Sequence, residues 1–188
     1  DLIGTEFHRW VRDHEETLRL AVSADFGRFI EGEFSFYTRW YHRLRKAAAK
    51  RTEGLECVFY NAQHNFTLQY PVLLAPLWMD EPDEVAERKV RISAAYLDIL
   101  IHRRIWNLRS IDYSTVQYAM FLVMKEIRSK GVEEVAGILL RRLGEETETF
   151  ASNERFRLHG MNRRQIHRIL ARMTDYLETR SGMASRYT

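Results

Sequence analysis

The sequence predicts an all-α fold, a multi-helix bundle of about six or seven helices with one long helix near residues 82–108. Three observations predict it. Only three prolines and nine glycines punctuate 188 residues, too few turn-forming residues for a many-turned β fold. Ala, Leu, Arg and Glu, all good helix formers, are abundant. Apolar residues recur at steps of three and four along most of the chain, the period of one helical face.

In chain order, Phe29, Ile30, Tyr37, Trp40, Tyr41, Leu44 and Ala48 form the first such stripe, with Arg39, Arg43, Lys46 and Lys50 opposite. The stretch NAQHNFTLQYPVLLAPLW is bulky, apolar and broken by Pro71 and Pro76. Proline removes a donor and clashes with the preceding turn, so a kinked or short buried helix is expected there. A short strand over Glu56–Tyr60 is a competing local expectation. Pro82 and the acidic DEPDEVAE open the long helix, since proline suits a first turn and carboxylates suit the positive end of the helix dipole. Val85, Ile92, Tyr96, Ile99, Arg103 and Trp106 continue its stripe. Ser114 is the expected N-cap of a helix carrying Val116, Met120, Val123, Met124 and Ile127, which stops at Lys130-Gly131. Val132, Val135, Leu139 and Leu143 make the next, and a loop follows around Ser152 and Asn153. A last helix starts at Asn162 as N-cap, carries Ile166, Ile169, Leu170, Met173 and Leu177, and stops before Gly182.

No repeat, low-complexity tract or Gly/Ser linker divides the chain, so one helical domain over 1–188 is expected. The chain has no initiator Met, signal peptide or uninterrupted apolar run of membrane-spanning length. The expectation is a soluble piece of a longer protein with no membrane partner. A single cysteine, Cys57, excludes an internal disulfide and fits a reducing cytoplasm. The net charge of +3 is too small to diagnose a nucleic-acid binder. Its distribution says more: Arg39–Arg51 holds six basic residues and no acid, Ser152–Thr188 holds eight against three, and Asp80–Glu87 holds five carboxylates. Blocks of this kind are solvated faces or partner surfaces.

Residues that could do chemistry are sparse. The seven histidines include no pair at the spacing that puts two imidazoles on one helical face, and Cys57 has no neighbouring ligand, so no zinc site is expected. No phosphate-cradling glycine loop occurs. HGMNRRQIH, His159–His167, imitates the letters of an HNH nuclease, but a helix start at Asn162 accounts for it better. Glu15, Glu16, Glu145, Glu146 and Glu148 read as solvated or paired with nearby Arg and Lys. Phe34, Phe36, Tyr37, Trp40 and Tyr41 read as packing in preference to base stacking.

The arginines remain. HRRIWN places Arg103 on the apolar stripe, where burial without a partner is costly, and turns Arg104 roughly 100° away toward solvent. Arg103 is therefore expected to be structural, held by Asp98, Asp112, Asp175 or free helix carbonyls. Arg104, Arg109, Arg163, Arg164, Arg168 and Arg172 are the candidate phosphate contacts, a hypothesis that needs only a surface position for each.

Taken in order, FGRFIEGEFSFYTRWYHRL, NFTLQYPVLLAPL, RKVRISAAYLDILIHRRIWN and NRRQIHRILARMTDYLE resemble the helical middle region of the GmrSD-type family, modification-dependent restriction endonucleases of bacteria. The resemblance runs from about Thr5 to Tyr187. In that family a ParB-like nucleotide-hydrolysing domain precedes the helical region and an HNH nuclease domain follows it. Neither the DGQQR-like motif of the first nor the Glu-His-Ile motif of the second occurs here, so the resemblance carries over no catalytic residue and no cofactor-binding or metal residue.

What it implies is a role by context in phage defence. The chain would be a scaffold between two catalytic domains, with DNA as a partner of the full-length protein and self-association open. A nucleoside triphosphate and a divalent metal would belong to the flanking domains. A stand-alone helical module binding nucleic acid or protein is the alternative.

Overall fold

A computed structural model of the protein describes residues 5–154, 156–160 and 162–187. It is helical, and no strand occurs among the described residues. The chain packs as two compact units, Asp1–His42 and Arg43–Thr188. The boundary falls inside a helix with no Gly or Pro to mark it, which is why the sequence carries no linker signal there.

The first unit contains α1 (Phe7–Asp13), α2 (Glu15–Leu18) and α3 (Ser23–Phe29), then a π turn over Ile30–Phe34 that leads into α4 (Ser35–Ala49). Asp25 caps α3 by accepting a 2.9 Å bond from the Val22 N–H. In the π turn the Ser35 hydroxyl donates to the Ile30 carbonyl at 2.6 Å. A π turn holds one residue more than an α turn and so rotates everything beyond it by about 100°. Within α4 the buried positions are Phe36, Trp40, Leu44 and Ala47, so Trp40 and Leu44 of the expected stripe face inward, whereas its Tyr37 and Tyr41 are 37% and 39% exposed.

The second unit is built around one rod. It comprises α5 (Glu56–Gln63), α6 (Gln69–Leu74), α7 (Asp83–Trp106), α8 (Tyr113–Ile127), α9 (Val132–Glu145), a 3-10 turn at Phe150–Ser152 and α10 (Arg163–Arg180). Residues Glu56–Tyr60 are helix, not strand. Val58, Phe59, Tyr60 and Asn61 are all buried, and a short segment covered on several sides reads as the same continuous apolar run that a buried strand gives. Pro71 is tolerated as the third residue of the short α6, where the first-turn N–H groups have no intrahelical partner to lose. The helix expected with Ser114 as N-cap starts two residues earlier, with Asp112 at the N-cap and no side-chain cap bond. Ser110 and Asp112 instead bond each other at 2.7 Å.

The long helix α7, 24 residues and so about 36 Å, is packed by α5, α6, α9 and α10. Because neighbours cover it on several sides, the stripe read from the sequence, although it includes the buried Tyr96, is not the main core face. Ala86, Val90, Ala94, Leu97, Ile101 and Ile105 form the buried line, and Ile99 is 37% exposed. Buried polar groups accompany them. Lys89 donates to the Pro76 carbonyl at 2.9 Å and pairs with Glu81, which compensates an ammonium that is only 2% exposed. At the far end, Asn107 donates to the Arg103 and Thr149 carbonyls, and Asn153 donates to the Trp106 carbonyl at 2.7 Å. The Trp106 ring stacks on Phe156 at 4.2 Å. These bonds fix the loop after α9 to the end of α7.

The shifted face sets a direct comparison. Leu97→Ala, at a position with no exposure, is expected to cost about 2–5 kcal/mol. Ile99→Ala is expected to cost less than about 1 kcal/mol, with both read from urea midpoints. Equal losses would restore the stripe read from the sequence.

Candidate nucleic-acid interface

The six candidate phosphate contacts fall into two groups. Three of them are engaged inside the protein. Arg104 directs Nε and Nη2 at the Ser110 carbonyl, at 3.0 and 2.9 Å. Arg109 pairs with Glu148 at 2.6 Å. Arg172 lies 4.1 Å over the Tyr60 ring and bonds the Asp98 carboxylate at 3.4 Å. The other three, Arg163, Arg164 and Arg168, have no carboxylate partner among the described residues. All three sit in the first turn and a half of α10, with Arg163 and Arg164 exposed and Arg168 half-buried. Burial, and secondly the neighbouring Arg164 guanidinium, hold the Arg168 pKa below the usual arginine value.

Arg163, Arg164, Ile166, His167 and Leu170 of α10 line a concavity of about 570 Å³ together with Leu158 from the preceding segment. Asn162 stands at the N-cap of α10 but makes no cap bond, contrary to its expected role. Its side chain accepts from the His159 N–H at 2.9 Å and donates to the Arg157 carbonyl at 3.0 Å, bracing the turn that brings Leu158 into the concavity. His159, Asn162 and His167 are thereby used in a helix start and on an exposed face. Among the described residues, no three His, Cys, Asp or Glu side chains converge in a way that could hold a metal ion.

The basic block Arg39–Arg51 is largely spent. Arg39 stacks on Phe36 and Arg45 on Tyr70, Arg43 pairs with Glu87, and Arg51 reaches Asp175 at 3.3 Å. Arg103 makes no carboxylate contact among the described residues. Its Nη1 donates to the Leu143 carbonyl at 2.8 Å, one of the carbonyls left free at the end of α9.

Behind the exposed arginines lies a buried polar network that spacing rules did not reveal, because its members come from different helices. His64 follows α5 and His102 is on α7, yet their rings meet edge to face at 5.1 Å. His102 Nδ1 lies 2.6 Å from the Asp98 carbonyl and 3.2 Å from its carboxylate. Asp98 also receives Arg172 from α10. One helical turn on, Asp175 is 2% exposed and accepts from Tyr60, Ser185 and Arg51. Tyr187 closes the network with edge contacts to Phe59 and Tyr60 at 5.5 and 5.3 Å. Burial pushes the Cys57 thiol up to about 12, helped by Asp98, so it stays protonated and non-nucleophilic at neutral pH. Burial first, then the facing His102 and the Arg168 guanidinium, press His64 down to about 4.

No family model, curated protein or solved structure matches the chain.

The depressed His64 fixes a pH dependence. Its folded value of about 4 lies below its ordinary 6.5, so between the two the unfolded chain binds more protons. Stability present above about pH 6.5 is therefore lost as pH falls toward 4 and the loss levels off below, roughly 3 kcal/mol in all. Urea midpoints should drop more steeply over that window in the wild type than in His64→Leu. Parallel profiles would contradict the buried neutral imidazole.

Proposed function

We propose that the chain is the helical, non-catalytic connector of a modification-dependent DNA restriction endonuclease of bacterial phage defence, and that α10 touches DNA phosphates. The carrying observation is the trio Arg163, Arg164 and Arg168, grouped on one helix start and free of carboxylates among the described residues. Guanidinium groups not committed to internal carboxylates are available for phosphate oxygens. The ordered succession of strings from FGRFIEGEFSFYTRWYHRL to NRRQIHRILARMTDYLE supports the family context.

In this reading the phosphate contacts position the protein and carry no sequence information. Bond breaking, with its nucleotide and divalent metal, belongs to flanking domains in the bacterial cytoplasm. A stand-alone helical binding module accommodates the same arginines. It differs in needing no neighbours to reach physiological affinity.

The test is binding of the isolated chain to labelled duplex DNA across a salt series. Affinity should fall as salt rises, because each neutralised phosphate releases condensed counterions. Arg163→Ala with Arg164→Ala should lower affinity and reduce the slope of log K against log salt by about two, at roughly 0.9 per contact. Arg109→Ala, which removes a paired arginine, should leave the slope unchanged. No binding at about 50 mM salt, where phosphate contacts are strong, would remove DNA contact from the reading.

A further inference from the structure

The outward face of α10 is apolar as well as basic. Leu170, Met173 and Leu177, spaced by three and four, are each more than half exposed, and they continue the line begun by Arg163 and His167. This helix face is left exposed by the described residues, and its complement is a surface both apolar and acidic.

The same molecule carries such a surface. Trp78 and Met79 are 50% and 42% exposed and lead directly into Asp80 and Glu84, both exposed and without a cationic partner among the described residues. The two surfaces are kept apart by α7. Arg172 of α10 meets Asp98, while Asn162 and Gln165 share a concavity with Ile105 and Leu108. The helices therefore run antiparallel, and Arg163 lies by the C-terminal end of α7. Asp80 and Glu84 lie at its N-terminal end, about 30 Å away along the rod. The patches do not close on each other within one chain.

We propose that the chain pairs with a second copy of itself, side by side and antiparallel, so that the Arg163–His167 end of each α10 meets the Trp78–Glu84 knob of the other. A two-fold operation makes both contacts at once, because residue i of one copy meets residue j of the other and the reverse. Leu170, Met173 and Leu177 then lie between the two charged ends, where a neighbour covers them. This assembly goes beyond the DNA contact and does not require it, and because it engages the same Arg163 and Arg164, pairing and DNA compete for them.

Mass measured by light scattering on the full chain at roughly tens of micromolar and low salt tests the pairing. The expected mass is twice 22.4 kDa, falling toward one copy as salt screens the charged ends. Asp80→Lys with Glu84→Lys should give one copy, as should Arg163→Glu with Arg164→Glu. All four changes together should restore two copies, since they exchange the charges of both ends. Helical circular dichroism checks each variant's fold, and the wild-type salt series carries the test if one unfolds.

A wild type of one-copy mass overturns the proposal. So does a mass unaffected by either charge reversal, or one that climbs with concentration past two copies. The Asp80→Lys, Glu84→Lys variant should still bind DNA, so failure of pairing and failure of DNA contact are read separately.

Discussion

Two carboxylates hold α10 in place, and the candidate surface depends on them. Asp98 projects from α7 to Arg172, and Asp175 projects from α10 into Tyr60, Arg51 and Ser185. The helix has little else to anchor it, since Ile166 and Ile169 are its only buried apolar residues among those described. A buried carboxylate stripped of its partners costs several kcal/mol. The helix is therefore fixed in one rotation, the one that satisfies both acids. That rotation turns Arg172 inward and leaves Arg163 and Arg164 outward. The same helix thus divides its arginines between structure and surface by which face they occupy.

The rod α7 makes this possible. It is covered by four other helices, so it tolerates charged groups in its interior only with dedicated partners: Glu81 and a proline carbonyl for Lys89, Arg172 and His102 for Asp98. The Lys89 and Arg172 pairs join α7 to a neighbouring segment or helix, whereas His102 meets Asp98 one turn along α7 itself. Geometry, more than net energy, is what such pairs contribute, because apolar replacements of equal volume often stabilise as much. His64 and Cys57 are drawn into the same interior and kept neutral by burial. Those two groups therefore stay uncharged at neutral pH.

The legible parts of the sequence were those governed by local rules. Pro82 and the carboxylates after it marked the start of α7, and helix ends near Gly131 and Gly182 lay close to where they were read. What local rules missed was rotation. Five consecutive residues in a π turn, Ile30–Phe34, change the phase between α3 and α4, and no propensity argument announces them. Burial of α7 on several sides blurs its period, so Ile99 looked like core and Lys89 did not. Arg163 and Arg172 are identical letters nine residues apart, and only the partners supplied by α5 and α7 distinguish their roles. His64 and His102 escaped notice for the same reason, since spacing rules see only one helix at a time.

Hydrogen exchange along α7 and α10, compared between the wild type and Asp175→Asn, tests the anchoring most directly. Losing a carboxylate that accepts three donors should cost about 1–3 kcal/mol locally. The amides of α10 should then exchange roughly 10- to 100-fold faster while those in the middle of α7 keep their protection. Unchanged exchange in α10, or equal acceleration of both helices, would contradict the account.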